Sequence, residues 1–375
     1  MNARIILLNV VLIGNTHPVD IVIEDGIIAG WTNADEAARD AYHDLDDARV
    51  IDCTGWYASS GWIDLHVHAM SELQPYGDEI DEIGVRQGVT TIVDAGSCGA
   101  DRIGALAASR ELAMTNVFAL LNISRVGLAR VDELTNLEWI DQALAVESAV
   151  QYGDFIVGLK ARMSGSVVGD NGLEPLRIAR SIADDTGLPI MVHVGSAPPA
   201  ISDIVPMLAE RDMITHCLNG KKNRLFDEND QPVPQLIEAL DRGVRLDVGH
   251  GTASFSFRTA EAAKRCGIPI HTISTDIYRG NRLNGPVHSL SHVLTKFLYL
   301  GYSLEEIIDS VTVRAAEWLR KPELARLSVG ERANLTLFAV HDEPVELIDS
   351  EGDKRIGTKR IEAKGVVHHG HFIKC

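Results

Sequence analysis

Between Ser60 and Lys321 the chain alternates strand-like and helix-like text eight times. The strand candidates are Trp62–His68, Val89–Ala95, Val117–Asn122, Asp154–Lys160, Pro189–Val194, Met213–His216, Val244–Val248 and Ile268–Asp276. Between them, Glu138 to Val150, Leu173 to Asp184 and Leu236 to Leu240 carry apolar residues at three- and four-residue intervals, the spacing of a helix with one buried face. Such alternation calls for parallel strands joined by helical crossovers. Eight units in about 260 residues match a (β/α)8 barrel in number and size. Alternation alone also allows an open doubly wound sheet, but no Gly-x-Gly-x-x-Gly follows the first strand, so the dinucleotide-binding form would lack its phosphate loop.

Both chain ends read differently. Ile5–Ile13, Val19–Glu24, Ile27 and Ile28, and Val50–Asp52 are short β-branched runs, with a Gly-Asn turn and an Asp25-Gly26 hairpin signal among them. At the other end Leu335–Val340, Val345–Ile348, Arg360–Ala363 and Val366–His369 have the same character. The expected fold is therefore α/β. A (β/α)8 TIM barrel would span 56–325, with a small sheet domain assembled from both termini, 1–55 and 326–375.

Composition narrows the partners. The chain carries 53 acidic against 35 basic side chains, a formal charge of −18. That balance argues against nucleic acid and anionic membranes, both of which need a positive surface. A small-molecule substrate is the expected partner, and assembly into a homo-oligomer is left open. Five cysteines (Cys53, Cys98, Cys217, Cys266 and Cys375) without CxxC spacing fit neither a disulfide framework nor a zinc ribbon. Ile5–Ile13 could pass for a signal-peptide core, but Asn9 interrupts it, no small-x-small cleavage site follows and strand-like text continues directly. No apolar run approaches the ~20 residues that span a membrane. A cytoplasmic protein is expected.

In a barrel the active site lies where the strands end. Strand one ends Asp64-Leu-His66-Val-His68, and a two-residue period places both histidines on one face. Strand four ends in Lys160, strand five reaches His193, strand six ends in His216 and strand eight in Asp276. Imidazoles and a carboxylate suit Zn²⁺, with Mn²⁺, Fe²⁺ and Co²⁺ as competitors. Four histidines and one carboxylate exceed one tetrahedral site, so two divalent ions are expected. An ammonium beside two dications would be repelled and desolvated, which lowers the pKa of Lys160. The neutral amine could then take up carbon dioxide as a carbamate, a carboxylate-like anion able to bridge both ions.

These residues resemble the amidohydrolase superfamily. Gly61-Trp-Ile-Asp-Leu-His66-Val-His68 is similar to its first-strand signature, and Lys160, His193, His216 and Asp276 follow in its order. The β-rich ends resemble the sandwich these enzymes build from both termini. Within the superfamily the chain looks most like the dihydroorotase-like branch with a carboxylated lysine. Gly158-Leu-Lys-Ala-Arg162-Met-Ser, His216-Cys-Leu-Asn-Gly220 and Asp247-Val-Gly-His-Gly251 resemble the metal-dependent deacetylases of N-acetyl amino acids and acetylated 2-hydroxy acids. Ser60, where the family usually has Pro, and Asn334, where Asp is common, depart from the pattern, but neither is a ligand position.

The resemblance implies that His66, His68 and Asp276 hold one ion, His193 and His216 the other, and carboxylated Lys160 bridges them. It implies hydrolysis by a bridging hydroxide, with Asp276 shuttling the proton to the leaving nitrogen or oxygen. The substrate implied is a small carboxylate-bearing amide or ester that loses an acyl group, acetyl first among the candidates. A cyclic amidase acting on dihydroorotate- or hydantoin-like rings shares the chemistry. A non-catalytic scaffold, the third reading, would be expected to have lost ligands, and none is missing here.

Substrate contacts are sought in the loops at the same face. Arg162, two residues beyond Lys160, could pair a carboxylate. Asn219-Gly220 could present an amide or N–H, or simply form a turn. His250 ends strand seven and could touch substrate or fill the core. Tyr278, Arg279 and Asn281 through Gly285 form a Gly/Asn-rich loop expected to cover the site. Asp64 reads as an orienter of ligands and Cys217 as core. His368, His369 and His371 read as solvated or packing residues, and Asp44, Asp46 and Asp47 as a solvated loop.

Overall fold

The computed structural model describes residues 4–34 and 48–375; the acidic stretch with Asp44, Asp46 and Asp47 lies outside the described residues. The N-terminal β-branched runs form β1 (Arg4–Leu12), β2 (Pro18–Glu24), β3 (Ile27–Asn33), β4 (Ala48–Asp52) and β5 (Tyr57–Ser60). β1 pairs along its length with β2 and, on its other edge, in parallel with β4 over its first half and β5 over its last residues. Asn9 marks the fork. Its φ of 59° lies in the left-handed region that asparagine tolerates better than most residues, and the β1–β2 register slips between Leu7 and Val10. The polar residue that interrupts the apolar run is thus a β-bulge, with its N–H donated to Asp20 Oδ1 at 2.8 Å.

The middle of the chain supplies β6 (Trp62–Val67), β7 (Val89–Ala95), β8 (Asn116–Asn122), β9 (Ile156–Met163), β10 (Ile190–Val194), β11 (Met213–Thr215) and β12 (Arg245–Leu246), a parallel sheet in sequence order. The eighth position is not a ladder strand. Segment 272–277 closes the ring by single bridges, Asp247 with Thr272 on one side and Val67 with Ile277 on the other. Backbone bonds reinforce them: Val248 N–H to Thr272 O at 3.1 Å and His68 N–H to Ile277 O at 2.9 Å. The segment bends at Asp276, whose φ is 53°, and this breaks the extended run expected there. The molecule is a TIM barrel completed by an irregular eighth stave.

β13 (Leu335–His341), β14 (Val345–Ile348), β15 (Lys354–Gly357), β16 (Arg360–His368) and β17 (His371–Lys374) end the chain. The two runs read as Arg360–Ala363 and Val366–His369 are one strand with a register slip opposite Leu337 and Phe338. The terminal sheet runs β17-β16-β13-β5-β1-β2-β3, so both chain ends share it, and β14–β15 stands apart as a hairpin. β5 belongs to this sheet although the reading above assigned 56–60 to the barrel. Its pairing with β13, Ser60 opposite Leu335, carries the terminal sheet up to Gly61.

Phe338 joins the two layers, stacked on Tyr57 (5.6 Å) and tilted against Trp62 (5.3 Å), and it is fully buried. Phe338→Ala should destabilise the protein by about 3–5 kcal/mol, the range for an aromatic core truncation, measured by urea denaturation. A loss below about 1 kcal/mol would mean this seam is not a continuous core.

Inside the barrel Ile63, Leu65, Val93, Ala95, Leu120, Met191 and Met213 form one apolar cluster with Ala315, Ala316, Trp318 and Leu319. It floors the site, since Met191 Sδ lies 3.5 Å from Lys160 Nζ. Among the described residues, no helix is long and apolar enough to cross a membrane.

Candidate active site

The six residues read as ligands from strand ends meet in one cavity of ≈ 350 Å³, lined also by Tyr76, Arg162, Lys221 and Tyr278. Strict alternation would put Leu65 and His66 on opposite faces. The register of β6 on β7 slips between Asp64 and Val67, and this bulge lets Leu65 join the floor while His66 reaches the cavity. His216 (φ 62°) and Asp276 carry left-handed backbone at their strand ends, strain of the kind that re-aims side chains at functional sites.

His66, His68 and Asp276 form the tightest group, with ligand atoms all within 4.8 Å of one another. Asp276 Oδ1 is 3.1 Å from His68 Nε2 and 3.4 Å from His66 Nε2. His216 lies beside them, its ring 5.1 Å from that of His66 and 4.4 Å from that of His193. Lys160 Nζ, 3.1 Å from His66 Nε2, stands in the same cavity. Its stem passes under Gly96, where a Cβ would come within 2.6 Å of the lysine Cβ and where φ is +83°; only glycine meets both demands.

Each imidazole has one nitrogen tied back, which fixes its orientation. His66 Nδ1 meets Thr215 Oγ1 (2.9 Å), His68 Nδ1 meets Ser97 Oγ (2.8 Å) and His216 Nδ1 donates to Gly249 O (2.6 Å). His193 is reversed, with Nε2 on Ser164 Oγ at 3.1 Å. Behind His66 lies Asp247, buried and unassigned by the reading of strand ends. It accepts from Thr215 and Ser274 at 2.7 Å on one oxygen and from Thr272 at 2.7 Å on the other. Those contacts tie three strand positions together. The local signals for Asp247 were a carboxylate inside the strand candidate Val244–Val248 and its place at the head of Asp247-Val-Gly-His-Gly251. Asp64 braces the backbone beside the site: it accepts from His66 N–H (3.2 Å), from Thr275 N–H (3.1 Å) and from the Thr275 hydroxyl (2.6 Å).

Burial lowers the pKa of His66, carries that of His193 well below its ordinary value and brings His216 down to about 3. These rings are neutral and ready to donate a lone pair. Burial also brings Lys160 down to about 7. Burial works against the Asp276 carboxylate, yet His66, His68 and His216 together hold it below the usual range. Buried imidazoles around one ionised carboxylate, with an amine brought down to about 7, are a donor set that fits divalent cations.

Arg162 is not in a loop. β9 pairs with β10 as far as Met163 opposite Val194, so Arg162 is a strand residue opposite His193 and shares the inward parity of Lys160. Its Nη1 lies 3.1 and 3.0 Å from the two oxygens of Glu133, a buried carboxylate. Asn219 and Gly220 do not line the cavity; the Asn219 amide serves its own turn. His250 is absent from the lining too. Its Nδ1 meets Gly251 O (2.9 Å), its Nε2 meets Lys296 Nζ (2.8 Å), and its ring stacks on Phe255 at 4.5 Å.

The Gly/Asn-rich loop is a short helix, Arg279–Asn284, pinned by Arg282 to buried Asp78 (2.6 and 2.9 Å). Asn281 Nδ2 donates to Asp276 O at 2.9 Å, and Tyr278 walls the cavity with Tyr76, their rings 5.4 Å apart. His368 and His371 face each other across the β16–β17 ladder, and no ligating cluster among the described residues includes them. Cys217 is buried in the main core.

No family profile matches the chain. A deacetylase of Enterococcus faecalis is 40% identical over 350 residues, which span 92% of this chain and 93% of the relative. The chain belongs to the amidohydrolase superfamily. Two solved amidohydrolase structures cover 99% of both chains. One is described as an adenine deaminase (TM-score 0.91, 38% identity), the other as a dihydroorotase (TM-score 0.88, 34% identity). As an amidohydrolase with deacetylase relatives, this protein is a metal-dependent hydrolase of the deacetylase-like, dihydroorotase-like branch. The His66–His68–Asp276 cluster is its candidate metal centre.

Proposed function

We propose that the protein is a binuclear deacylase that removes an acetyl group from small carboxylate-bearing amides or esters, N-acetyl amino acids or acetylated 2-hydroxy acids. The observation that carries this reading is the convergence of six ligand-type side chains in one cavity, in a chain whose relative at 40% identity is a deacetylase. His66, His68 and Asp276 would hold one ion and His193 and His216 the other, most simply Zn²⁺. Lys160 would stand between them. With its pKa near 7, the neutral Lys160 amine can add carbon dioxide, forming an N–C bond and releasing one proton, which turns a repelled cation into a bridging anion. Bound divalent ions would make water more acidic and polarise the substrate carbonyl.

The remaining work belongs to the chain. Asp276, one oxygen between His66 and His68, can take the proton of the attacking water and return it to the departing nitrogen or oxygen. Thr215 and Ser97 keep His66 and His68 from turning away from it. Tyr76 and Tyr278, their rings 5.4 Å apart, wall the cavity where substrate would sit.

A cyclic amidase is the second reading, favoured by the dihydroorotase among the solved structures. A hydrolysis screen separates the two. It should include both enantiomers of N-acetyl amino acids, acetylated 2-hydroxy acids, dihydroorotate and a hydantoin, after loading with Zn²⁺ and bicarbonate. Turnover of the ring compounds alone would remove the deacylase reading. Protein purified without chelator should carry about two equivalents of divalent metal by elemental analysis, and stripping it should abolish turnover. One equivalent with full activity would contradict a binuclear centre.

A further inference from the structure

The deacylase reading needs a group that receives the substrate's carboxylate, and the inference here rests on that reading. Four charged side chains other than imidazoles line the cavity: Lys160, Arg162, Lys221 and Asp276. Three of them are engaged within the protein. Lys160 Nζ sits 3.1 Å from His66 Nε2, and Asp276 Oδ1 sits 3.1 Å from His68 Nε2. Arg162 is paired with Glu133, which is wholly buried, so its charge is compensated before any ligand arrives.

Lys221 differs. Among the described residues its ammonium makes no hydrogen bond or ion pair, and only its backbone N–H is used, donated to Asn219 Oδ1 at 3.1 Å. The side chain is nevertheless half-buried. A partly desolvated cation without a counter-ion is costly, and an anion entering the cavity would relieve that cost. Burial lowers its pKa; the nearby Asp276 carboxylate opposes this and Arg162 adds to it, which places the amine within the field of the reacting groups.

The turn that carries Lys221 is fixed from both sides. Asn219 Nδ2 donates to His216 O at 2.9 Å while its oxygen accepts from Lys221, tying the lysine to a strand-end histidine of the site. On the outside, Gly220 lies against Glu351 so closely that a Cβ would come 2.3 Å from the carboxylate oxygen. Glu351 is itself anchored by Ser256 Oγ at 2.8 Å. The Asn-Gly pair therefore shapes and braces a turn, and what the turn presents to the cavity is Lys221.

We propose that Lys221 is the receptor of the substrate carboxylate and sets the preference for acids over neutral analogues. The test compares an N-acetyl amino acid with its carboxamide, which keeps the scissile bond and side group and removes only the negative charge. In Lys221→Met, kcat/KM on the acid should fall about 10- to 100-fold, the range for one lost charge-assisted hydrogen bond, while the carboxamide changes less than about 3-fold. Turnover of the carboxamide also reports that the variant is folded. Lys221→Arg should restore part of the discrimination.

Equal loss on both substrates, or no loss on either, overturns the assignment. If the wild type hydrolyses neither compound, the deacylase reading fails, and titration calorimetry with the same unreacted pair decides Lys221 separately. Tenfold weaker acid binding by the variant supports the receptor role. Equal acid binding by the two forms, or none by either, overturns it.

Discussion

Lys160→Ala is expected to lower kcat/KM by at least about 10³-fold on the best substrate, with metal content falling in parallel. The side chain is 1% exposed, lies 3.1 Å from His66 Nε2, and rests on the apolar floor through Met191. Alanine leaves a hole where, on the proposed reading, a carbamate anion would sit, and the facing imidazoles would lose the charge that would let two dications lie close together. Short carboxylates such as acetate or propionate, added at tens of millimolar, should restore part of the activity by filling that hole. Uptake of carbon dioxide by metal-free protein should slow about tenfold for each pH unit below 7, because only the neutral amine reacts and its pKa lies at about 7. A variant that keeps wild-type turnover, or a rescue that works equally well with uncharged amides, would end the bridging role.

Asp276→Asn should lose about 10²- to 10⁴-fold in kcat while retaining much of its metal. The amide preserves size and one oxygen for coordination but cannot accept a proton. Its neighbours stay in place, because Asn281 holds the backbone carbonyl of residue 276 and His66 accepts the backbone N–H at its own carbonyl. The diagnostic comparison is between leaving groups. An acetyl ester of a good leaving alcohol needs little protonation, so the variant's defect should be smaller on it than on the matching amide. Equal defects on both would assign Asp276 to metal binding alone. The wild-type carboxylate is held below its usual range by three imidazoles, so turnover should not fall through titration of Asp276 between pH 5 and 8.

Much of the site was legible because a strand's end is a local property. A run such as Met213-Ile-Thr-His216 announces both the strand and the place where it stops, and in a closed barrel all the stops converge. The six ligand-type residues were read on that ground, although β9 runs on past Lys160 and Asp276 lies on an irregular stave. Arg162 was harder, because a strand continues as long as its neighbour pairs with it, and β10 carries β9 past Lys160 to Met163. His250 and Asn219 were candidates by position only. The first is drawn away by Lys296 and the second by its own backbone, partners that spacing along the chain does not name.

The sequence by itself determined the eightfold βα alternation, the β-rich character of both ends, and the identity of the residues at the strand ends. All of these follow from periodicities of two to four residues. Only the tertiary structure decided how charge is distributed among them. Arg162 is neutralised by Glu133 from 29 positions away, and Asp247 is enclosed by hydroxyls of Thr215, Thr272 and Ser274. The ring closes through two bridges instead of an eighth strand. Lys221, just past the Asn219-Gly220 turn, lines the cavity with no ion pair among the described residues, and Glu351, 130 positions later, packs against Gly220 on the other side of that turn. Those outcomes depend on which distant surfaces meet when the barrel closes, and local patterning carries no information about that.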